Sequence, residues 1–200
     1  MATDGDASPG LLAAALLWLM IVVVGMATLW GYASTPGPAA KAGMTWPSGV
    51  FARDARRPTL VMFLHPHCAC SRASVGELAR LMAHAQGRAR VYVLLSRPSD
   101  TEPGAERTDL WHSAAEIPGV EVLSDDNDVQ SAAFGAAVSG QTLLYDPQGH
   151  LIFSGGITAA RGHSGDNAGS SAVLALLTGA VPAVTTTPVF GCFLRSESQL

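Results

Sequence analysis

Charged side chains are missing from Leu11 to Ala33 (LLAAALLWLMIVVVGMATLWGYA), and a helix over this run would rise roughly 35 Å, enough to cross a bilayer. After it, Pro36, Pro38 and Pro47 stand among Gly, Ala and Ser with no sustained apolar period, so residues 34–57 are expected to form a linker. The pattern changes at Pro58. A strand is predicted to end near Leu64, followed by a helix with Val75, Leu78, Ala79 and Met82 on one face. Arg90 to Ser96 (RVYVLLS) is uninterrupted apolar strand, as in a sheet covered on both faces.

Further on, a short helix is predicted around Leu110 to Glu116 and a strand at Val120 to Leu123. Asp128 is expected to cap a helix running to about Ala137, after an acidic turn of Asp125, Asp126 and Asn127. That turn lacks the glycine and closing glutamate of a calcium loop. Thr142 to Tyr145 and His150 to Phe153 flank Asp146-Pro147-Gln148-Gly149, a hairpin signature, and Ser170 to Thr178 gives a last helix stopped by Gly179. The alternation of strands and helices is that of an α/β domain. The chain thus divides into a tail (1–10), a transmembrane helix (11–33), a linker (34–57), an α/β domain (58–179) and a C-terminal tail carrying Cys192 (180–200).

Composition adds two exclusions. A net charge of −4 offers no cationic face for nucleic acid, and no lysine follows the glycine-rich stretch after Phe153 in phosphate-loop spacing. A cleaved signal peptide ending at Gly31-Tyr32-Ala33 is the competing reading of the apolar run. No Lys or Arg precedes the run, which also exceeds the roughly 7–15 residues of a signal core, so an uncleaved anchor is expected. Lys41 on its far side mildly favours a cytoplasmic domain.

The candidate chemistry lies in Phe63-Leu64-His65-Pro66-His67-Cys68-Ala69-Cys70-Ser71, where a strand delivers two cysteines to the start of a helix. Unpaired N–H groups and the partial positive charge of a helix N-terminus favour a thiolate. An odd total of three cysteines leaves at least one outside any intrachain disulfide. Successive helical residues turn by about 100°, so Cys68 and Cys70 pair only if the first turn is non-helical, in a small strained ring. Otherwise Cys192 can reach either one, and all three pairings remain open.

His65 and His67 are candidates to depress the Cys68 pKa or to ligate a metal. Arg161 and His163, in the glycine-rich loop after Phe153, are candidates to favour a thiolate or bind an anionic partner, while Asp166 or Asn167 could act there or cap the last helix. His84, His112 and His150 read as surface or packing residues. Thiolates with imidazole suit Cu(I), so the alternative to thiol chemistry is a copper-binding or copper-delivery site of Cys68, Cys70, His67 and Cys192, with His65 or His163 as other candidate ligands.

The element order with its CxC motif resembles the thioredoxin fold carrying the insertion of the TlpA-like and peroxiredoxin-like branches. The segments GGITAARGHSGDNAG (155–169) and TPVFGC (187–192) are similar to the membrane-anchored RedB-type bacterial proteins. The resemblance implies a central mixed β-sheet flanked by helices. It also implies a possible thiol–disulfide oxidoreductase with Cys68 at the nucleophile position, Ser71 where the family has its second cysteine, and Gln141 beside the place of its cis-proline. Cys70 or Cys192 would then resolve the mixed disulfide. Protein thiols or disulfides are the implied partners, a membrane the implied support, and the periplasmic side the implied location. A peroxidase using Cys68 is a weaker expectation, because the threonine and arginine surroundings of that chemistry are not evident.

Overall fold

The computed structural model describes residues 9–38 and 41–195, in two units divided after Thr35. The first unit is helix α1, Pro9–Ser34. It opens on proline, which fits a first helical turn because its missing N–H would have no partner there. Its 26 residues rise about 39 Å, and none of its side chains is buried within the protein. This helix is long and apolar enough to cross a membrane. Residues 1–8 of the expected N-terminal tail lie outside the described residues.

The second unit is built on β1 (Thr59–Leu64), α2 (Ser71–His84), β2 (Arg90–Arg97), α3 (Asp109–Ala115), β3 (Val120–Asp126), α4 (Val129–Ala133), β4 (Gln141–Tyr145), β5 (Leu151–Gly155) and α5 (Ala168–Thr178). The five strands lie in the order β3-β2-β1-β4-β5, with β1, β2 and β3 parallel and β4 and β5 antiparallel to their neighbours. Alternation along the strands divides their side chains between two layers. Leu60, Met62 and Leu64 join Val91, Val93 and Leu95 beneath α2, α3 and α5. Val61 and Phe63 join Tyr92, Leu94, Leu143 and Tyr145 on the opposite face.

What covers that opposite face corrects the expected linker. Trp46, Val50 and Phe51 pack there beside Phe134, and Trp46 meets Phe51, Phe134 and Tyr145 edge-on at centroid distances of 5.5, 5.0 and 5.1 Å. The backbone is fastened as well, Trp46 N–H donating to Gly149 O at 2.7 Å and Leu151 N–H to Met44 O at 2.8 Å. A segment without helical or strand period still supplies a layer, because single aromatic anchors fill the space that the short α4 leaves open.

Two further expectations shift. Helix α4 ends at Ala133 rather than near Ala137, because Gly135 (φ +65°) closes it and lies against the Lys41 backbone. Asp128 precedes α4 with left-handed φ of 56° and does not cap it; its carboxylate accepts from Ser96 Oγ at 2.5 Å. The cap is Asp125, inside an extended β3, whose two oxygens accept the Gln130 and Ser131 N–H groups at 2.7 and 2.8 Å. Asn167 caps α5, accepting from Ser170 N–H at 2.8 Å, and Gly179 stops it at φ +81°.

The C-terminal segment returns along the sheet. Thr186 bridges Ser154 on the exposed side of β5, and Phe193 bridges Val138. The first contact covers a sheet edge, and the second brings Cys192 to the carboxyl end of β1.

Candidate active site

Strand β1 ends at Leu64, and the chain turns at once: Cys68 N–H donates to His65 O at 3.1 Å and Ser71 N–H to Cys68 O at 3.0 Å. Cys68 therefore sits in the turn preceding α2, and Cys70, with helical dihedrals, occupies the position just before the helix. The sequence placed Cys68 at the helix start; the structure puts it one tight turn ahead.

Only 3% of Cys68 is exposed, but polar groups converge on its sulfur. Cys192 N–H donates to Cys68 Sγ at 3.4 Å. Burial pushes the Cys68 pKa up, yet hydrogen bonds from the Cys192 thiol and from Ser71, reinforced by the N–H groups of both residues, outweigh it and hold the thiol below its ordinary value. The Cys192 thiol is pushed up to about 12, by burial first, then by its hydrogen bond to Cys68 and the charges of Cys68 and Cys70, with Arg161 opposing. Burial, followed by the Cys68 charge, also raises Cys70, again against Arg161. One sulfur is set up to lose its proton and two to keep theirs. All three cysteines are unpaired.

A hub that the sequence did not single out assembles this arrangement. Ser139 Oγ accepts His65 N–H at 2.7 Å and shares a 2.6 Å hydrogen bond with Ser71 Oγ, while Ser139 N–H donates to Cys192 O at 2.8 Å. The neighbouring Gly191 packs so closely that a Cβ there would fall 1.9 Å from Ser139 O. Arg161 Nη1 donates to Gly191 O at 2.5 Å. The sequence signal for Ser139 was its place just before β4, in the chain that faces the end of β1; for Gly191, only its adjacency to Cys192.

Of the expected supporting residues, Arg161 reaches the sulfurs and the others do other work. His65 Nδ1 accepts His67 N–H at 3.2 Å, and burial, then the charge of His67, lowers the His65 pKa against Asp128. Its neutral form is favoured, so hydrogen bonds rather than an imidazolium stabilise the Cys68 thiolate. The ring of His67 is exposed beside His65, and His163 is exposed, its N–H donating to Ala160 O at 3.3 Å. Gln141 is fully buried, and its Oε1 accepts Ala137 N–H at 3.3 Å, which fastens the turn into β4. Among the described residues no group of three or more His, Cys, Asp or Glu is placed to hold a metal ion. A cleft of about 220 Å³ opens beside Cys68, lined by Pro66, His67, Arg72, Thr108, Asp109 and Leu110, with Arg72 and Asp109 paired at its rim.

No family model and no curated protein matches the chain. Among solved structures, a hypothetical protein from Sinorhizobium meliloti matches at 22% identity and TM-score 0.60, over 78% of this chain and 96% of the other. An uncharacterized conserved protein from Geobacillus kaustophilus matches at 18% identity and TM-score 0.58, over 80% and 93%. A thioredoxin-like protein in the oxidized form matches at 17% identity and TM-score 0.46, over 74% and 93%. Strand order, parallel β1-β2-β3 and the terminal β4-β5 hairpin followed by α5 agree with the expected architecture. The fold is thioredoxin-like. Position 71 carries serine, and Cys192 of the C-terminal segment stands beside Cys68.

Proposed function

We propose that this protein is a membrane-anchored thiol–disulfide exchange protein in which Cys68 is the nucleophile and Cys192 the resolving thiol. The observation that carries the reading is the Cys192 N–H donating to Cys68 Sγ at 3.4 Å in a fold whose expected second cysteine is Ser71. The Cys68 thiolate attacks one sulfur of a target disulfide, forming a mixed disulfide and expelling the other target sulfur as a thiolate that takes a proton from water. Cys192 then gives up its proton and attacks Cys68 Sγ. The Cys68–target bond breaks, a Cys68–Cys192 disulfide forms, and the second target sulfur leaves and is protonated. The target gains two electrons and the protein loses them; an oxidised chain meeting a dithiol runs the steps backwards.

Cys70 also hydrogen-bonds the Cys68 sulfur, and its helical dihedrals place it in the adjoining turn, so it is the other candidate for the second step. The RedB-type resemblance and the length of α1 support anchorage with the thiol domain on the extracytoplasmic side, where disulfide exchange has substrates. A reporter enzyme active only outside the cytoplasm, fused after the domain, should be active; an inactive reporter of normal abundance would reverse that orientation. Copper handling gains no support from the arrangement of the ligands.

The decisive experiment uses the full chain in detergent with a disulfide-linked fluorescent peptide. Cys68→Ser should abolish exchange, and Cys192→Ser should trap a covalent Cys68–peptide adduct. Unchanged exchange by Cys68→Ser would overturn the proposal.

A further inference from the structure

Resting on that reading, we propose that Arg161 is the positioning residue of the resolving step, holding the Cys192 segment by its backbone and promoting loss of the Cys192 proton once Cys68 has reacted. The geometry is specific. Arg161 reaches from the loop between β5 and α5 to Gly191 O at 2.5 Å, next to the residue that must attack. Gly191 cannot retreat, because it lies against the Ser139 backbone, and Ser139 N–H holds Cys192 O at 2.8 Å. Two hydrogen bonds therefore grip the peptide on either side of the Cys192 N–H that points to Cys68 Sγ.

The charges supply the order of events. The groups acting on the Cys192 sulfur are the Cys68 and Cys70 sulfurs, which oppose its ionisation, and the Arg161 guanidinium, which favours it. While Cys68 is a thiolate its negative charge keeps the Cys192 proton in place, so the resting site has one nucleophile rather than two. Formation of the mixed disulfide neutralises Cys68 without moving Arg161. The balance at Cys192 then shifts toward the thiolate, at the moment when a sulfur for it to attack has been created. Cys192 attacks Cys68 Sγ, the Cys68–target S–S bond breaks, and the target sulfur leaves as a thiolate.

The test uses the full chain in detergent carrying Cys70→Ser, so that only Cys192 can resolve. Ellman's reagent converts Cys68 to a mixed disulfide with nitrothiobenzoate, and release of the coloured thiolate is followed against pH. An opposite charge nearby lowers a pKa by roughly 1–3 units, so Arg161→Met should move the midpoint of the release profile up by about one unit or more. Release at neutral pH should slow by only about threefold per unit, because a thiolate of higher pKa is a better nucleophile. Arg161→Lys, which keeps the charge, should restore most of the pH midpoint. An unmoved midpoint in Arg161→Met, with circular dichroism matching the parent, would overturn the role of Arg161 and leave the exchange reading intact. Release that persists when Cys192→Ser is added would instead overturn Cys192 as the resolving thiol.

Discussion

At the residue scale, the lowered pKa of Cys68 comes from donors gathered around a buried sulfur. Ser71 is the plainest case, since its hydroxyl hydrogen-bonds the Cys68 sulfur. Hydrogen bonds to charged groups contribute about 1.5–3 kcal/mol, so Ser71→Ala should raise the Cys68 pKa by about one unit. Alkylation at a series of pH values, mapped by mass spectrometry, would show it. In the unsubstituted chain the same measurement should order the midpoints with Cys68 lowest and Cys192 highest, because the first is lowered and the second raised to about 12. Gly191→Ala places a methyl group into Ser139 O and should displace Cys192, raising the Cys68 pKa and preventing the intramolecular disulfide. Sequence made Cys68 and Arg161 legible through their positions after a strand and in the loop that returns to it. Ser139 was not legible, because a lone serine acquires its role from three partners distant in sequence.

Elements with a strong apolar period were legible, and those held by isolated contacts were not. The runs of β1 and β2 and the helical face of α2 announce themselves, since each buries a continuous row of side chains. The segment before β1 has no row to announce, only Trp46, Val50 and Phe51 set into the open face of the sheet. Replacing a large buried aromatic costs about 3–5 kcal/mol, and Trp46 is half-buried, so Trp46→Ala should lose about 2–3 kcal/mol by urea denaturation. Asp128 looked like the helix cap by position, but its left-handed backbone hands the task to Asp125. Burial raises the Asp125 pKa despite its two N–H donors. A carboxyl with a folded pKa above its unfolded value adds stability below the unfolded value and loses it as pH rises through the folded one. Asp125→Ala should flatten that decline in the thermal midpoint between acidic and neutral pH, while removing a cap that contributes about 1 kcal/mol.

At the scale of the molecule, the cysteines that meet come from distant parts of one chain. Cys68 and Cys192 stand 124 positions apart, with nearly all of the sheet and four of the helices between them. Reach alone permitted Cys192 to approach Cys68 in the sequence, and packing of the segment along β5 and Ser139 brings it there. A covalent link across so long a loop has a further effect. Cross-linking a loop of about 100 residues removes roughly 4.7 kcal/mol of entropy from the unfolded chain. Oxidation would therefore lock almost the entire domain in a single covalent circle, and the oxidised protein should melt well above the reduced one in calorimetry. By the same cycle, a folded domain holds its two sulfurs at a far higher local concentration than an unfolded chain does, so folding strengthens the dithiol as a reductant and any variant that loosens the domain weakens it.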